Sequence, residues 1–222
     1  MGINEYIEHT LLKQDAEKSD LIKLYNEAVE YKFSGVCINP AYVKEAVLHL
    51  RGTGIKTVTV IGFPLGANTT NTKVFEAKEA VENGVDEIDM VMNVSMLKSK
   101  DYGYVLNDIK SIRQICPNNV LKVIIETDLL TAEEIKTACK LSVESKADFV
   151  KTSTGFVKGG TGAKVEDVEL ISGMVKPYGL KVKASGGIRD YEKALSLIKA
   201  GANKLGTSSG VLIVSEERAL KC

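Results

Sequence analysis

Charged side chains stand in short segments that otherwise read as buried strand, among them Asp89 in EIDMVM, Lys122 and Glu126 in LKVIIET, Lys151 in FVKTS, and Lys181 and Lys183 in KVKAS. Burying an unpaired ammonium or carboxylate costs several kcal/mol, so these groups must pair with one another or face a wet cavity. Alternation puts Lys151 on the face of Phe149, with Val150 opposite, and groups Lys181, Lys183 and Ser185 on one face. Adjacent strands lie about 4.8 Å apart, so neighbouring strands would bring the Lys151 and Lys183 ammoniums within electrostatic reach, and like charge lowers at least one pKa. A lysine poised to be neutral near pH 7 is the nucleophile that Schiff-base chemistry with an aldehyde needs. Small and hydroxyl residues that open a loop follow Lys151 and Lys183, which favours function over structural pairing. Lys181, at a strand start, reads as a structural ion pair; Lys122 is open to the same reading, with Glu126 or Asp86 as partner. Pattern alone leaves Asp89 between the two.

The elements that must position these groups repeat along the chain. Short β-branched runs predict eight strands, at residues 6–10, 35–38, 57–62, 87–92, 121–126, 149–152, 181–184 and 204–206. Between them lie six stretches with apolar residues three and four apart, at residues 20–33, 72–84, 104–116, 132–146, 164–179 and 191–202, which read as helices. Gly84, Gly179 and Gly201 fall where a left-handed helix cap is wanted. No linker or low-complexity tract interrupts the alternation. At roughly 28 residues per unit, this predicts an α/β protein built as one (β/α)8 TIM barrel over residues 1–222. The rival doubly wound sheet lacks its glycine fingerprint, since the first βα junction is HTLLKQDA, and GGTGAK has Ala163 where a phosphate-loop lysine should stand.

Barrels that bind phosphorylated substrates commonly do so through glycine-rich loops after strands seven and eight. Both loops are present, as Ser185-Gly186-Gly187-Ile188-Arg189 and Gly206-Thr207-Ser208-Ser209-Gly210, and Thr152-Ser153-Thr154-Gly155 adds hydroxyls and amides after strand six. Arg189 fits either a phosphate partner or a cap on the following helix.

With 29 basic and 29 acidic residues there is no bulk field to attract nucleic acid or an anionic membrane, so neither is expected as a partner. Hydrophobic residues at 44% and charged ones at 26% fit a folded globule rather than a disordered chain. The four cysteines, Cys37, Cys116, Cys139 and Cys222, make no C-x-x-C pair and have only His9 and His49 to help them, so no metal site is expected. His49 reads as a solvated helix residue, His9 as packing or support for the site. The opening MGINEYIEHTLL breaks any signal-peptide core with Glu5 and Glu8, and no 18-residue apolar run occurs, so a cytoplasmic setting is expected.

Six ordered motifs resemble those of the deoxyribose-phosphate aldolase family of class I aldolases: GVCINP around Cys37, the IGFPLG turn near Pro64, DEIDMVMN around Asp89, LKVIIET around Lys122, VKTSTGF around Lys151 and KASGGIR around Lys183. The likeness covers nearly the whole chain. It implies a TIM barrel that reversibly cleaves 2-deoxy-D-ribose 5-phosphate to acetaldehyde and D-glyceraldehyde 3-phosphate in deoxynucleoside breakdown, with no metal and no cofactor. By the same resemblance Lys151 carries the Schiff base, and Asp89 and Lys183 are the acid/base pair. Gly155, Gly186, Gly187, Gly206, Ser208 and Ser209 line the phosphate pocket, with Thr152 and Arg189 as further candidates. Lys122 is expected to orient Asp89. Cys37 reads as a packed small hydrophobe, although the resemblance places it near the substrate.

Two departures from the family pattern stand out. Glu8 precedes the His-Thr pair where many members have Asp, which touches contacts at the substrate hydroxyl end, and Ala219-Leu220-Lys221-Cys222 lacks the terminal Tyr of some bacterial members. The alternatives are another Schiff-base aldolase or transaldolase, a non-catalytic sugar-phosphate sensor, or an isomerase without covalent chemistry. A homodimer or higher homo-oligomer is expected, as is usual for such barrels.

Overall fold

Eight parallel strands close on themselves in sequence order: β1 (Ile7–Leu11), β2 (Gly35–Ile38), β3 (Lys56–Ile61), β4 (Glu87–Val91), β5 (Val120–Ile124), β6 (Phe149–Lys151), β7 (Lys181–Ser185) and β8 (Lys204–Thr207), with β8 pairing back onto β1. This is the (β/α)8 barrel that the βα repetition predicts. The computed structural model describes residues 2–221; Met1 and Cys222 lie outside the described residues. Helices α1 (Lys18–Tyr31), α2 (Val43–Leu50), α3 (Thr70–Glu82), α4 (Val94–Lys98), α5 (Tyr102–Ile115), α6 (Ala132–Glu144), α7 (Val165–Val175), α8 (Tyr191–Lys199) and α9 (Gly210–Ala219) surround it.

Strand alternation splits the core in two. Val36, Ile61, Ile88, Met90, Leu121, Val123, Val150, Val182 and Leu205 turn outward and pack under helix residues such as Leu21, Ile109, Ile135, Ile171 and Leu197, all fully or nearly fully buried. Each such aliphatic side chain contributes about 1.5–3 kcal/mol on burial. Inside the barrel only Leu12, Cys37, Val58 and Val60 form an apolar cluster, with Phe63 against it. Along β4 to β8 and β1 the lumen carries a cluster of charged side chains, with the Phe149 ring against it.

The sequence reading missed three helices. α2 has only eight residues and α4 five, too short for a clear period. α9 begins Gly-Val-Leu-Ile-Val, weak helix formers whose helicity comes from packing Ile213 and Val214 into the core. Gly84, Gly179 and Gly201 do adopt the left-handed conformation expected of them, with φ of 89°, 82° and 113°. β5 stops at Ile124, so Glu126 is not a strand residue but sits beyond the strand at φ 60°.

Candidate active site

Seven charged side chains meet inside the barrel: Glu8 from β1, Glu87 and Asp89 from β4, Lys122 from β5, Lys151 from β6, Lys183 from β7 and Lys204 from β8. Register sets the order, with Asp89 opposite Lys122, Lys151 opposite Lys183, and Lys183 opposite Lys204. Asp89 is the hub. Its Oδ1 accepts from Lys122 Nζ at 2.9 Å, and its Oδ2 accepts from both Lys151 Nζ at 2.8 Å and Lys183 Nζ at 2.6 Å. Lys183 also donates to Glu8, and Lys122 lies 2.5 Å from Glu87 and 3.3 Å from Glu8. Lys204 closes the cluster at 2.9 Å from Glu87 and 2.8 Å from Glu8.

Four ammoniums thus face three carboxylates, and Glu8, Asp89, Lys122 and Lys183 are wholly shielded from water. Burial alone would raise the carboxyls of Asp89 and Glu8. Lys122, Lys151 and Lys183 around Asp89, and Lys122, Lys183 and Lys204 around Glu8, overcome it and hold both well below the usual carboxylate range. Burial would likewise lower Lys183, but Asp89 and Glu8 hold it well above the usual lysine value, and Asp89 and Glu8 do the same for Lys122. The expectation that like charge depresses a lysine therefore fails for Lys183: two carboxylates in direct contact outweigh a neighbouring ammonium.

Of the cluster, only Lys151 reaches the cavity at the C-terminal mouth, a cleft of about 330 Å³ also lined by Thr10, Lys13, Thr154, Phe156, Ser185, Gly186, Gly187, Arg189, Gly206, Thr207 and Ser208. Among the described residues, no backbone or side-chain acceptor takes the N–H of Gly155, Gly186, Gly187 or Ser208. Those amides and the N-terminus of α9 point to an anion site beside Lys151. Gly206 is needed for another reason: a Cβ there would stand 3.0 Å from Lys183 Cε and Ser185 Cβ, displacing the lysine stem. The loop after β6 is pinned by Asp128, which accepts from Gly162 N at 2.8 Å and Thr161 Oγ1 at 3.1 Å, and by Glu126, which accepts from Thr154. A larger hollow, about 610 Å³, lies at the opposite end of the barrel, but no member of the charged cluster lines it.

The structure thus brings Lys151, Asp89, Lys183 and Lys122 together, and places Gly155, Gly186, Gly187, Gly206, Ser208 and Arg189 at the cleft. Thr152 is instead a strand tie, donating to Ser185 O and accepting from Ser185 N. Ser209 stands at the N-cap position of α9 without a side-chain cap bond and does not line the cleft, and Cys37 packs against Leu12, Val58 and Val60, its thiol pushed up by burial. Glu8 lies beneath the cleft among the lysines rather than along its wall. Helix capping by Arg189 gives way to Asp190, whose side chain accepts from Lys193 N. Neither Glu126 nor Asp86 pairs with Lys122, since Asp86 holds Lys56. His9 turns outward onto Glu27 and Phe33, and His49 is exposed. The sequence reading overlooked Glu87 and Lys204. Charge in a covered strand is the signal that marks them too, but both open their strands and so resemble solvent-facing ends.

A family model described as DeoC/LacD family aldolase matches residues 5–215. The deoxyribose-phosphate aldolase of Finegoldia magna is 53% identical over 214 residues, covering 96% of this chain and 99% of its own length. That of a Thermoanaerobacter species is 54% identical over 225 residues, covering 100% and 99%. A solved structure of deoxyribose phosphate aldolase from Aeropyrum pernix, described as tetrameric, matches with a TM-score of 0.91 at 32% identity, covering 98% of this chain and 92% of that one.

Proposed function

The chain belongs to the DeoC/LacD aldolase family, and from that premise we propose that it is a class I aldolase that reversibly cleaves 2-deoxy-D-ribose 5-phosphate to acetaldehyde and D-glyceraldehyde 3-phosphate, with Lys151 as the imine-forming lysine. The observation that carries the assignment is the position of Lys151: it is the one cluster lysine on the cleft, held by Asp89 and set beside unpaired loop amides.

The chemistry follows from those contacts. Asp89 Oδ2, already in contact with Lys151 Nζ, takes the proton of the Lys151 ammonium; the free amine then adds to C1 of the open-chain sugar, and the carbinolamine hydroxyl leaves as water with that proton to give a protonated imine. Removal of the C3 hydroxyl proton then lets the C2–C3 bond break, its electron pair flowing into the imine to give an enamine. The carbon count requires this bond, because acetaldehyde takes C1 and C2 and the phosphorylated product keeps C3 to C5. Protonation of C2 and hydrolysis of the imine release acetaldehyde and the amine. The lysines around Asp89 favour its carboxylate, and Asp89 and Glu8 favour the Lys183 ammonium, which supports a carboxylate that accepts a proton, directly or through water, and an ammonium that gives one. Lys122 orients Asp89 through Oδ1. The amides of Gly155, Gly186, Gly187 and Ser208, with the Arg189 guanidinium, receive the phosphate, while Gly206 makes room for Lys183.

We further propose that the chain works as a homo-oligomer in the cytoplasm. The Aeropyrum pernix relative described as tetrameric supports the first part, and among the described residues no helix is long and apolar enough to cross a membrane. The test of function is a product assay: wild-type protein should release acetaldehyde and glyceraldehyde 3-phosphate in equal amounts, and Lys151→Ala should release neither above background. Cleavage that persists in Lys151→Ala would overturn the assignment.

A further inference from the structure

The reacting trio of Lys151, Asp89 and Lys183 accounts for only part of the buried charge. Below it the cluster continues to Glu87 and Lys204, whose side chains form no ion pair with any of the three. Glu87 precedes Asp89 by two residues and shares its face, and Lys204 lies in register with Lys183. Two chains of contact rise from this floor. Glu87 lies 2.5 Å from Lys122, which donates to Asp89 at 2.9 Å; Lys204 lies 2.8 Å from Glu8, which accepts from Lys183. Glu87 and Lys204 are themselves joined at 2.9 Å. Beneath them the Phe149 ring lies 5.9 Å from the Lys122 ammonium, 6.0 Å from that of Lys204 and 5.8 Å from that of Lys181, and it is 5% exposed. The ring shields the cluster from water on its lower side, so a charge at the floor is felt further than it would be in solvent.

We propose that Glu87 and Lys204 are positioning residues whose opposite charges, relayed through Lys122 and Glu8, set the protonation balance of the trio above them. The proposal rests on the reading of Lys151 as the imine lysine. An ion pair that merely filled the barrel floor would give stability and nothing else. A charge relay makes a different demand, because the two residues must act in opposite directions. Without Glu87's charge, four ammoniums face two carboxylates and give up protons more readily. Without Lys204's, three face three and hold them more tightly. The other groups facing this balance are Glu8 from β1, Cys37 from β2, Asp89 from β4, Lys122, Lys151 and Lys183 from β5 to β7, Glu126 beyond the end of β5, and Lys181 across the Phe149 ring.

The experiment is the pH dependence of kcat/KM for 2-deoxyribose 5-phosphate in wild type, Glu87→Gln, Lys204→Met and the double variant, each checked for folding by circular dichroism. The acid limb should move to lower pH in Glu87→Gln and to higher pH in Lys204→Met, each by about one unit, the order expected of one buried charge at an effective dielectric near 20. The double variant should return close to wild type. Shifts of the same sign, or unmoved profiles with a lowered melting temperature, would overturn the relay. Should Glu87→Gln alone not fold, the double variant must still lie on the acid side of Lys204→Met, or the proposal fails. A wild-type protein without turnover would sink the aldolase reading instead, so the two failures are distinguishable.

Discussion

Lys183 carries two separable jobs, a charge and a proton, and two substitutions divide them. Its nitrogen and that of Lys151 donate to the same oxygen of Asp89, at 2.6 Å and 2.8 Å, so they are no further apart than the sum of the two, 5.4 Å. A unit charge at that separation, with an effective dielectric near 20, is worth about 3 kcal/mol, or roughly two pH units in the midpoint of imine formation. Lys183→Leu removes the charge and leaves three ammoniums facing three carboxylates in the lumen. Its imine formation, read as borohydride-trapped adduct against pH, should therefore move about two units toward alkali. Lys183→Arg keeps the charge but cannot release a proton. It should hold the wild-type trapping profile within about half a unit while losing turnover by roughly 10²- to 10⁴-fold, the usual worth of one positioned acid or base. Identical trapping profiles for Leu and Arg would refute the electrostatic role. Full turnover in the Arg variant would refute the proton role.

Lys122→Met strips Asp89 Oδ1 of its donor and should lower kcat at least about tenfold, with a stability loss of about 3–5 kcal/mol as for a broken buried pair; turnover at the wild-type level would remove Lys122 from the mechanism. Gly186 adopts φ 84° at the cleft, where a Cβ would stand 3.1 Å from Gly162 Cα. Gly186→Ala should raise KM for the phosphorylated sugar about tenfold, the effect of about 1.4 kcal/mol, yet barely alter the rate with unphosphorylated 2-deoxyribose; equal effects on both would detach that loop from phosphate. Stability should also carry the imprint of the cluster. Asp89 and Glu8 are held low, so their contribution is present above about pH 4 and is lost as pH falls through the lower folded values. Lys122 and Lys183 are held high, so theirs is complete below about pH 10 and is lost only as pH climbs through the higher folded values. A melting temperature that is flat from roughly pH 5 to 10 and falls on either side is expected; a steep drop between about pH 6 and 8 would contradict the assigned charges.

What the sequence disclosed, it disclosed through broken rules. Strands covered on both faces should be apolar, so Asp89, Lys122, Lys151 and Lys183 stood out, and parity alone turned Lys151 and Lys183 toward the same lumen. The loops after β7 and β8 were legible because glycine and hydroxyl residues recur where such barrels bind anions. Glu8, Glu87 and Lys204 were not read as part of the cluster because each stands at or next to the start of its strand, where a charge resembles a solvent-facing end. Glu8 sits 175 residues before Lys183 and meets it only when β8 closes onto β1. Nor does composition tell which carboxylate a lysine will choose. Lys122 bypasses Glu126 because β5 ends before that residue and a left-handed turn carries it to Thr154. The charge state of Lys183 likewise depends on two carboxylates from β1 and β4, neither adjacent in sequence.

The most direct test of Lys151 as the covalent lysine is to incubate the folded protein with 2-deoxyribose 5-phosphate, reduce with borohydride and map the adduct by peptide mass spectrometry. A single reduced adduct on the peptide holding Lys151, absent in Lys151→Ala, is the expected result. An adduct on Lys183 or Lys122 instead, or none in a sample that still binds the phosphorylated sugar, would contradict it.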